Sequence, residues 1–321
     1  MTRRKKARKK HSLFIILFGD GIIPGYIPFY YRLFLLWNKS FRSFRTKLFS
    51  RNRGRNKALP DEVAKSDKVL NLGEGKAPLV NRTFSDIEAD LKSEGIKKVA
   101  EKIEELKQIL GQRGLRWTTP AGNFKLKDST PETERPKLCE NARMIADSGV
   151  SAQDVVLDIG GASSIFSFFL AQMGCQVYVV DNDWGNHGIV HNAAYVSAKM
   201  DWKMRIYRRD IATRLPFKNN YFDKVFCICV LEHLPSSVRR NLMKETNRVL
   251  KPGGLAAFTF DYDASRKSPG LDRGIRYSFQ QRLLNDVIRP SGMEIYGNAQ
   301  LVDDFPEHLF AGSLFLSKPQ I

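Results

Sequence analysis

Val155-Val156-Leu157-Asp158-Ile159-Gly160-Gly161, followed by an apolar stretch and then Val177-Tyr178-Val179-Val180-Asp181-Asn182-Asp183, decides how this chain folds. Such an apolar, β-branched run suits a strand buried on both faces of a parallel sheet. Gly160 and Gly161 stand where a chain leaving a strand turns tightly, and their missing side chains let a ligand approach the backbone. Residues 165–173 are apolar enough for a helix lying on that sheet, with Gly174 at the position of a C-terminal glycine. Asp181 lies 23 residues after Asp158, at the tip of the second expected strand. A carboxylate there can accept both hydroxyl hydrogens of a ribose. The turn is not a dinucleotide fingerprint, because Ala162 and Ile165 stand where that pattern needs glycine. A nucleoside without a diphosphate tolerates such a turn better.

Further strand candidates follow at the spacing of alternating β and α units: 204–208, 223–230 and 254–261 after 155–159 and 176–181. The fold class is therefore α/β, a Rossmann-like doubly wound sheet. Asp210 and Ile211 follow the third strand, where a carboxylate can take the exocyclic amine of a purine and an apolar neighbour can pack on its ring. Leu231-Glu232-His233-Leu234-Pro235 follows the fourth strand, at the edge where open α/β sheets bind ligands. Leu250-Lys251-Pro252-Gly253-Gly254 reads as the turn into the fifth, and Phe315-Leu316 as part of a final antiparallel strand.

In this order and spacing, these residues resemble the class I S-adenosylmethionine-dependent methyltransferases, in their type 11, ubiquinone-biosynthesis-like branch. The resemblance covers about residues 137–262. It implies a seven-stranded sheet and methyl transfer from S-adenosylmethionine. It also implies that Asp158 and Gly160 line the methionine end, that Asp181 holds the ribose with Asn182 beside the adenine, that Asp210 and Ile211 flank the adenine, and that Gly161 is among the cofactor-binding residues. The family has glycine where this chain has Ala162 and Ser164, so cofactor affinity and even enzymatic competence rest on how those two fit. A sulfonium is an activated donor, so catalysis is mostly alignment and exclusion of water. An oxygen nucleophile gains from a general base. His233 is the first candidate and Glu232 the second, with helix capping or packing the plain alternative for His233.

Charge divides the chain. Of a net +18, residues 1–57 hold +15, from 16 Lys/Arg and the single acid Asp20, leaving +3 for residues 58–321. Seven Lys/Arg precede an apolar, aromatic-rich block at 13–37, and eight follow it within 39–57. The block has the length of a membrane span, but Asp20, Arg32, Pro24 and Pro28 interrupt it, and basic flanks on both sides favour one cytoplasmic face. An interfacial or re-entrant segment on anionic lipid is expected, making the protein cytoplasmic and peripheral or monotopic. Nucleic acid is the alternative partner for the basic arm, with RNA as substrate. Packing on the protein's own core is the plain alternative for the apolar residues.

The four cysteines, Cys139, Cys175, Cys227 and Cys229, fit no zinc spacing and read as reduced, buried thiols; no metal is expected. Asp303, Asp304 and His308 likewise lack a ligand pattern. Residues 58–136 read as a linker and amphipathic helix ahead of a methyltransferase domain at 137–321. Ser85-Asp86-Ile87-Glu88 looks like a capping box, and Ile87, Leu91, Val99, Ile103, Leu106 and Leu110 recur at mostly helical spacing, with a break expected near Gly95. A helix is expected over about 136–148. Gly274–Ser278, with Arg276 and Tyr277, is expected as a substrate-side lid. The acceptor is expected to be a small or lipid-linked molecule.

Overall fold

The computed structural model of the chain describes residues 69–71, 79–84, 86–118, 131–183, 186–262, 283–302 and 310–320. All of them belong to one compact unit, Glu62–Ile321. The basic-apolar segment, Ser85, the expected lid, Asp303, Asp304 and His308 lie outside the described residues.

The strands are β1 (Val69–Asn71), β2 (Val155–Ile159), β3 (Gln176–Asp181), β4 (Met204–Arg208), β5 (Phe222–Ile228), β6 (Leu250–Tyr262), β7 (Glu294–Ile295), β8 (Gln300–Val302) and β9 (Phe310–Ser317). Seven of them form one sheet in the order β4-β3-β2-β5-β6-β9-β7. Strands β4, β3, β2, β5 and β6 run parallel, and β9 inserts antiparallel between β6 and β7. The strand order reverses between β2 and β5, so the crevice beyond their C-terminal ends is where a doubly wound sheet takes its ligand. The sequence placed β2, β3 and β4 at their observed bounds. β6 begins earlier than expected because Leu250 pairs with Phe222 before the register shifts, so the Pro-Gly-Gly turn is an irregularity within the strand.

The helices are α1 (Ile87–Lys92), α2 (Glu94–Gln112), α3 (Pro131–Ser148), α4 (Ile165–Gln172), α5 (Ile189–Lys199) and α6 (Ser236–Val249). A π-helical turn, Leu284–Ile288, packs against α6. Side chains alternate across β2. Val156 joins one apolar layer with α2, α3 and α4, while Leu157 and Ile159 join the other with α6 and the π-turn.

Helix α1 is capped by Asp86, whose carboxylate accepts the Ala89 amide, one residue later than the expected serine. The helical break falls at Ser93, which is extended, rather than at Gly95. α2 then buries Ile96, Ala100, Ile103, Leu106 and Leu110, one stripe at helical spacing, against α3 and α4. α3 begins five residues ahead of the expected start and carries Pro136 inside it. Proline is tolerated in a first turn, and the deeper Pro136 forfeits one backbone bond to a helix well anchored by its later residues.

Part of the stretch read as linker is built into the fold. β1 pairs antiparallel with β8 in a separate two-stranded sheet. Asn81 donates to the carbonyls of Tyr296 and Asn298 and accepts the Phe315 amide, each within 2.8 Å. Buried Asp90 takes Arg82 and Arg143, the latter at 3.1 Å. Among the described residues, no helix is long and apolar enough to cross a membrane.

Candidate active site

Four segments leave the C-terminal edge of the parallel strands: 160–164 after β2, 181–183 after β3, 210–211 beyond β4, and 229–233 after β5. The turn after β2 is fixed by close contacts. Gly160 has φ +79°, and a Cβ on it would come within 2.5 Å of Val230 Cγ2. A Cβ on Gly161 would stand 1.9 Å from the Asp158 carboxylate. Both positions therefore need glycine, one for its backbone and for Val230, the other for a carboxylate folded under the turn.

That carboxylate is buried. Asp158 Oδ2 accepts the Ser167 hydroxyl at 2.5 Å, while Oδ1 has no hydrogen-bond partner. Burial pushes its pKa up to about 7 against the Ser167 bond, and the nearby Asp181 charge adds to the rise. Asp181, also buried, accepts the Ala162 amide at 3.2 Å and the Asp183 amide at 2.8 Å. Burial raises its pKa while those two amides oppose the rise. Its carboxylate thus faces the glycine turn.

The two departures from glycine are accommodated. The Ala162 amide binds Asp181, and its φ is not positive. Ser164 is the N-cap of α4, its hydroxyl accepting the Ser167 amide at 3.0 Å, a role glycine performs without a side-chain bond. The unusual backbone falls instead on Ser163, at φ +62°. Thr118 donates to its carbonyl through backbone and hydroxyl, and Asn192 donates to its hydroxyl, which in turn donates to the Ile189 carbonyl.

The remaining expected cofactor residues are placed differently. Asn182 is exposed beside buried Asp183, whose carboxylate accepts the Ile189 amide at the start of α5. Asp210 is exposed and folds back to accept the Ala212 amide, whereas Ile211 is buried in the layer that holds Leu157 and Ile159.

At the β5 tip, neighbouring candidates separate. His233 is exposed, while Glu232 is 1% exposed in the one-turn 3₁₀ helix Leu231–His233. Glu232 thus turns inward and His233 outward at the same turn. Burial pushes the Glu232 pKa up to about 8; its own amide resists, and Asp261 and Glu140 add to the rise. Cys229, at φ +51°, lies 3.0 Å from both Lys137 Nζ and Glu140 Oε1. Lys137 and Glu140 pair at 2.5 Å across one turn of α3. Burial works against both charges, but each partner outweighs it, so Lys137 is held above and Glu140 below its ordinary range. Burial and the Glu140 charge push the Cys229 thiol well up.

Sequence reading missed Lys137, Glu140, Thr259 and Asp261 at this rim. The strand-tip rule that selected Asp181 applies equally to Asp261 at the end of β6. Nothing in local sequence brings α3 over β5.

The sheet order and flanking helices are the α/β, Rossmann-like fold of the class I methyltransferases. Residues 157–258 match the family described as "Methyltransferase domain". This part of the chain is accordingly similar to that family's domain. Over 114 residues the chain is 32% identical to an uncharacterized protein of Haemophilus influenzae, covering 35% of this chain and 44% of that one. Over 111 residues it is 32% identical to a sterol 24-C-methyltransferase of Pneumocystis carinii, covering 34% and 27%. It spans less than half the length of either relative. A solved S-adenosylmethionine-dependent methyltransferase from Aquifex aeolicus is similar at 18% identity and TM-score 0.43, over 55% of this chain and 89% of that one.

The rim fits the cofactor of that family. An unpartnered buried oxygen on Asp158, the Asp181 carboxylate turned to the same turn, and the absence of side chains at Gly160 and Gly161 suit a sulfonium nucleoside.

Proposed function

We propose that the protein transfers the methyl group of S-adenosylmethionine to a small or lipid-linked acceptor at a membrane surface. The observation that carries this is the Asp181 carboxylate turned toward the Gly160–Ala162 turn at the point where the strand order reverses. Bound S-adenosylmethionine supplies an activated methyl group. Asp181 holds the ribose, Asp158 and the Gly160–Gly161 backbone hold the methionine end, and buried Ile211 walls the adenine side. Asn182 and Asp210, both exposed, border the nucleoside from solvent. α3 closes the acceptor side over β5, which excludes water from the reacting atoms. His233, at the open rim of the same turn, takes the proton that a hydroxyl or amine acceptor gives up.

Calorimetry of the full chain with S-adenosylmethionine and S-adenosylhomocysteine tests the reading. Micromolar binding of both, weakened in Asp181→Asn, is expected; no heat from either ligand overturns it. Membrane association rests on the basic-apolar segment 1–57. Flotation of the full chain should retain it on phosphatidylserine vesicles and not on phosphatidylcholine, with release at high salt. Equal recovery on both vesicles, or preferential capture by RNA, dismisses the membrane part alone.

A further inference from the structure

At the ends of β5 and β6, Cys229, Glu232 and Asp261 bring one sulfur and two carboxylate groups together, with donor atoms all within 4.8 Å of one another. Two carboxylates and a thiol standing close would by themselves mean little. Here Glu232 is 1% exposed, and its Oε2 has no hydrogen-bond partner. A buried carboxylate oxygen left empty costs free energy that a ligand can recover. The donors sit on rigid backbone. The Cys229 amide is held by the Thr259 carbonyl at 3.1 Å and hydroxyl at 3.0 Å, in a left-handed conformation unusual for a side-chain-bearing residue. Lys137 pairs with Glu140 at 2.5 Å and lies 3.0 Å from the Cys229 sulfur.

We propose that Cys229, Glu232 and Asp261 form a binding site for a divalent transition-metal ion, with zinc the ion best suited to one thiolate and two carboxylates. On binding, a metal–sulfur bond forms and the Cys229 thiol proton leaves to solvent. Lys137 Nζ, 3.0 Å from Sγ, then donates a hydrogen bond to the bound thiolate, an outer contact that orients and steadies it. Three protein ligands leave a fourth tetrahedral position open toward the crevice, available to a water or to an acceptor's oxygen or sulfur. The site is independent of whether the chain transfers methyl groups.

Cobalt(II) is the probe. Full-length protein stripped with EDTA is titrated with cobalt chloride and followed by near-ultraviolet and visible absorption. Expected are one equivalent of binding, a thiolate-to-cobalt charge-transfer band, visible bands of tetrahedral intensity, and displacement of all of them by one equivalent of zinc. Cys229→Ser should remove the charge-transfer band, whereas Cys175→Ser, at a buried thiol just before β3, should keep it. Glu232→Gln should weaken cobalt binding at least roughly tenfold, and it decides the matter should Cys229→Ser fail to fold. Absence of the band in the wild-type protein, its survival in Cys229→Ser, or unchanged affinity in Glu232→Gln overturns the proposal.

Discussion

Gly160 and Val230 meet across the switch in strand order, with room for no atom between them: a Cβ on the glycine would stand 2.5 Å from Val230 Cγ2. Through this contact the turn after β2 and the turn after β5 are held at one fixed distance, which sets the width of the crevice.

Gly160→Ala should therefore be costly twice, once for its positive φ and once for the clash. The expected loss is about 2–5 kcal/mol, combining a left-handed alanine with overpacking. Thermal unfolding measures it, and Val230→Ala in the same chain should restore only the steric part. A single variant that melts with the wild type contradicts this account.

Asp181→Asn should keep the fold, since an amide oxygen can still accept from Ala162 or Asp183. It should weaken S-adenosylhomocysteine by about 1.5–3 kcal/mol, or roughly ten- to hundredfold, the worth of a charge-assisted bond to a hydroxyl. Calorimetry on both proteins is the measurement.

The pH dependence of stability carries a signature of Asp158. Its folded-state pKa is about 7, against an ordinary value of 3.8. Between about pH 4 and 7 the folded form keeps a proton that the unfolded form has lost, so this group makes stability fall as pH rises. Below that window both forms are protonated, and above it the penalty is constant. Asp158→Asn should flatten the slope, by at most on the order of 4 kcal/mol. Denaturant unfolding of both proteins at pH 5 and pH 8 checks it; parallel slopes would refute it.

Lys137→Met leaves Glu140, whose side chain is 2% exposed, without its cation. A loss of about 3 kcal/mol is expected, most of it recovered in the double variant with Glu140→Gln. Additive losses in the cycle would mean that the two side chains do not act as a pair.

What could be read in the chain divides along the line between local and distant contacts. The Val155–Gly161 and Val177–Asp181 runs announce their strands because burial on both faces demands continuous apolar residues, and the glycines announce the turn. Asp158 and Asp181 were legible because their places relative to strand ends are fixed by spacing. Which way adjacent residues face was not, and Glu232 turns inward while His233 turns outward because a single 3₁₀ turn follows the strand. The roles of Lys137 and Glu140 depend on α3 crossing a strand tip about 90 residues further on, a contact that no periodicity encodes. Residues 79–84 looked like linker because their polar groups are satisfied by Asn298 and the last strand rather than by neighbours.

β9 is the piece on which the earlier parts wait. It slots between β6 and β7, and along it lie the Phe84 amide, bonded to the Ala311 carbonyl, and the Asn81 side chain, bonded to Phe315. A chain emerging from the ribosome cannot complete either contact until its final residues are free. Residues 81–84 thus wait more than two hundred residues for their partners, and any stall in synthesis before residue 310 leaves that sheet edge open to a neighbouring nascent chain.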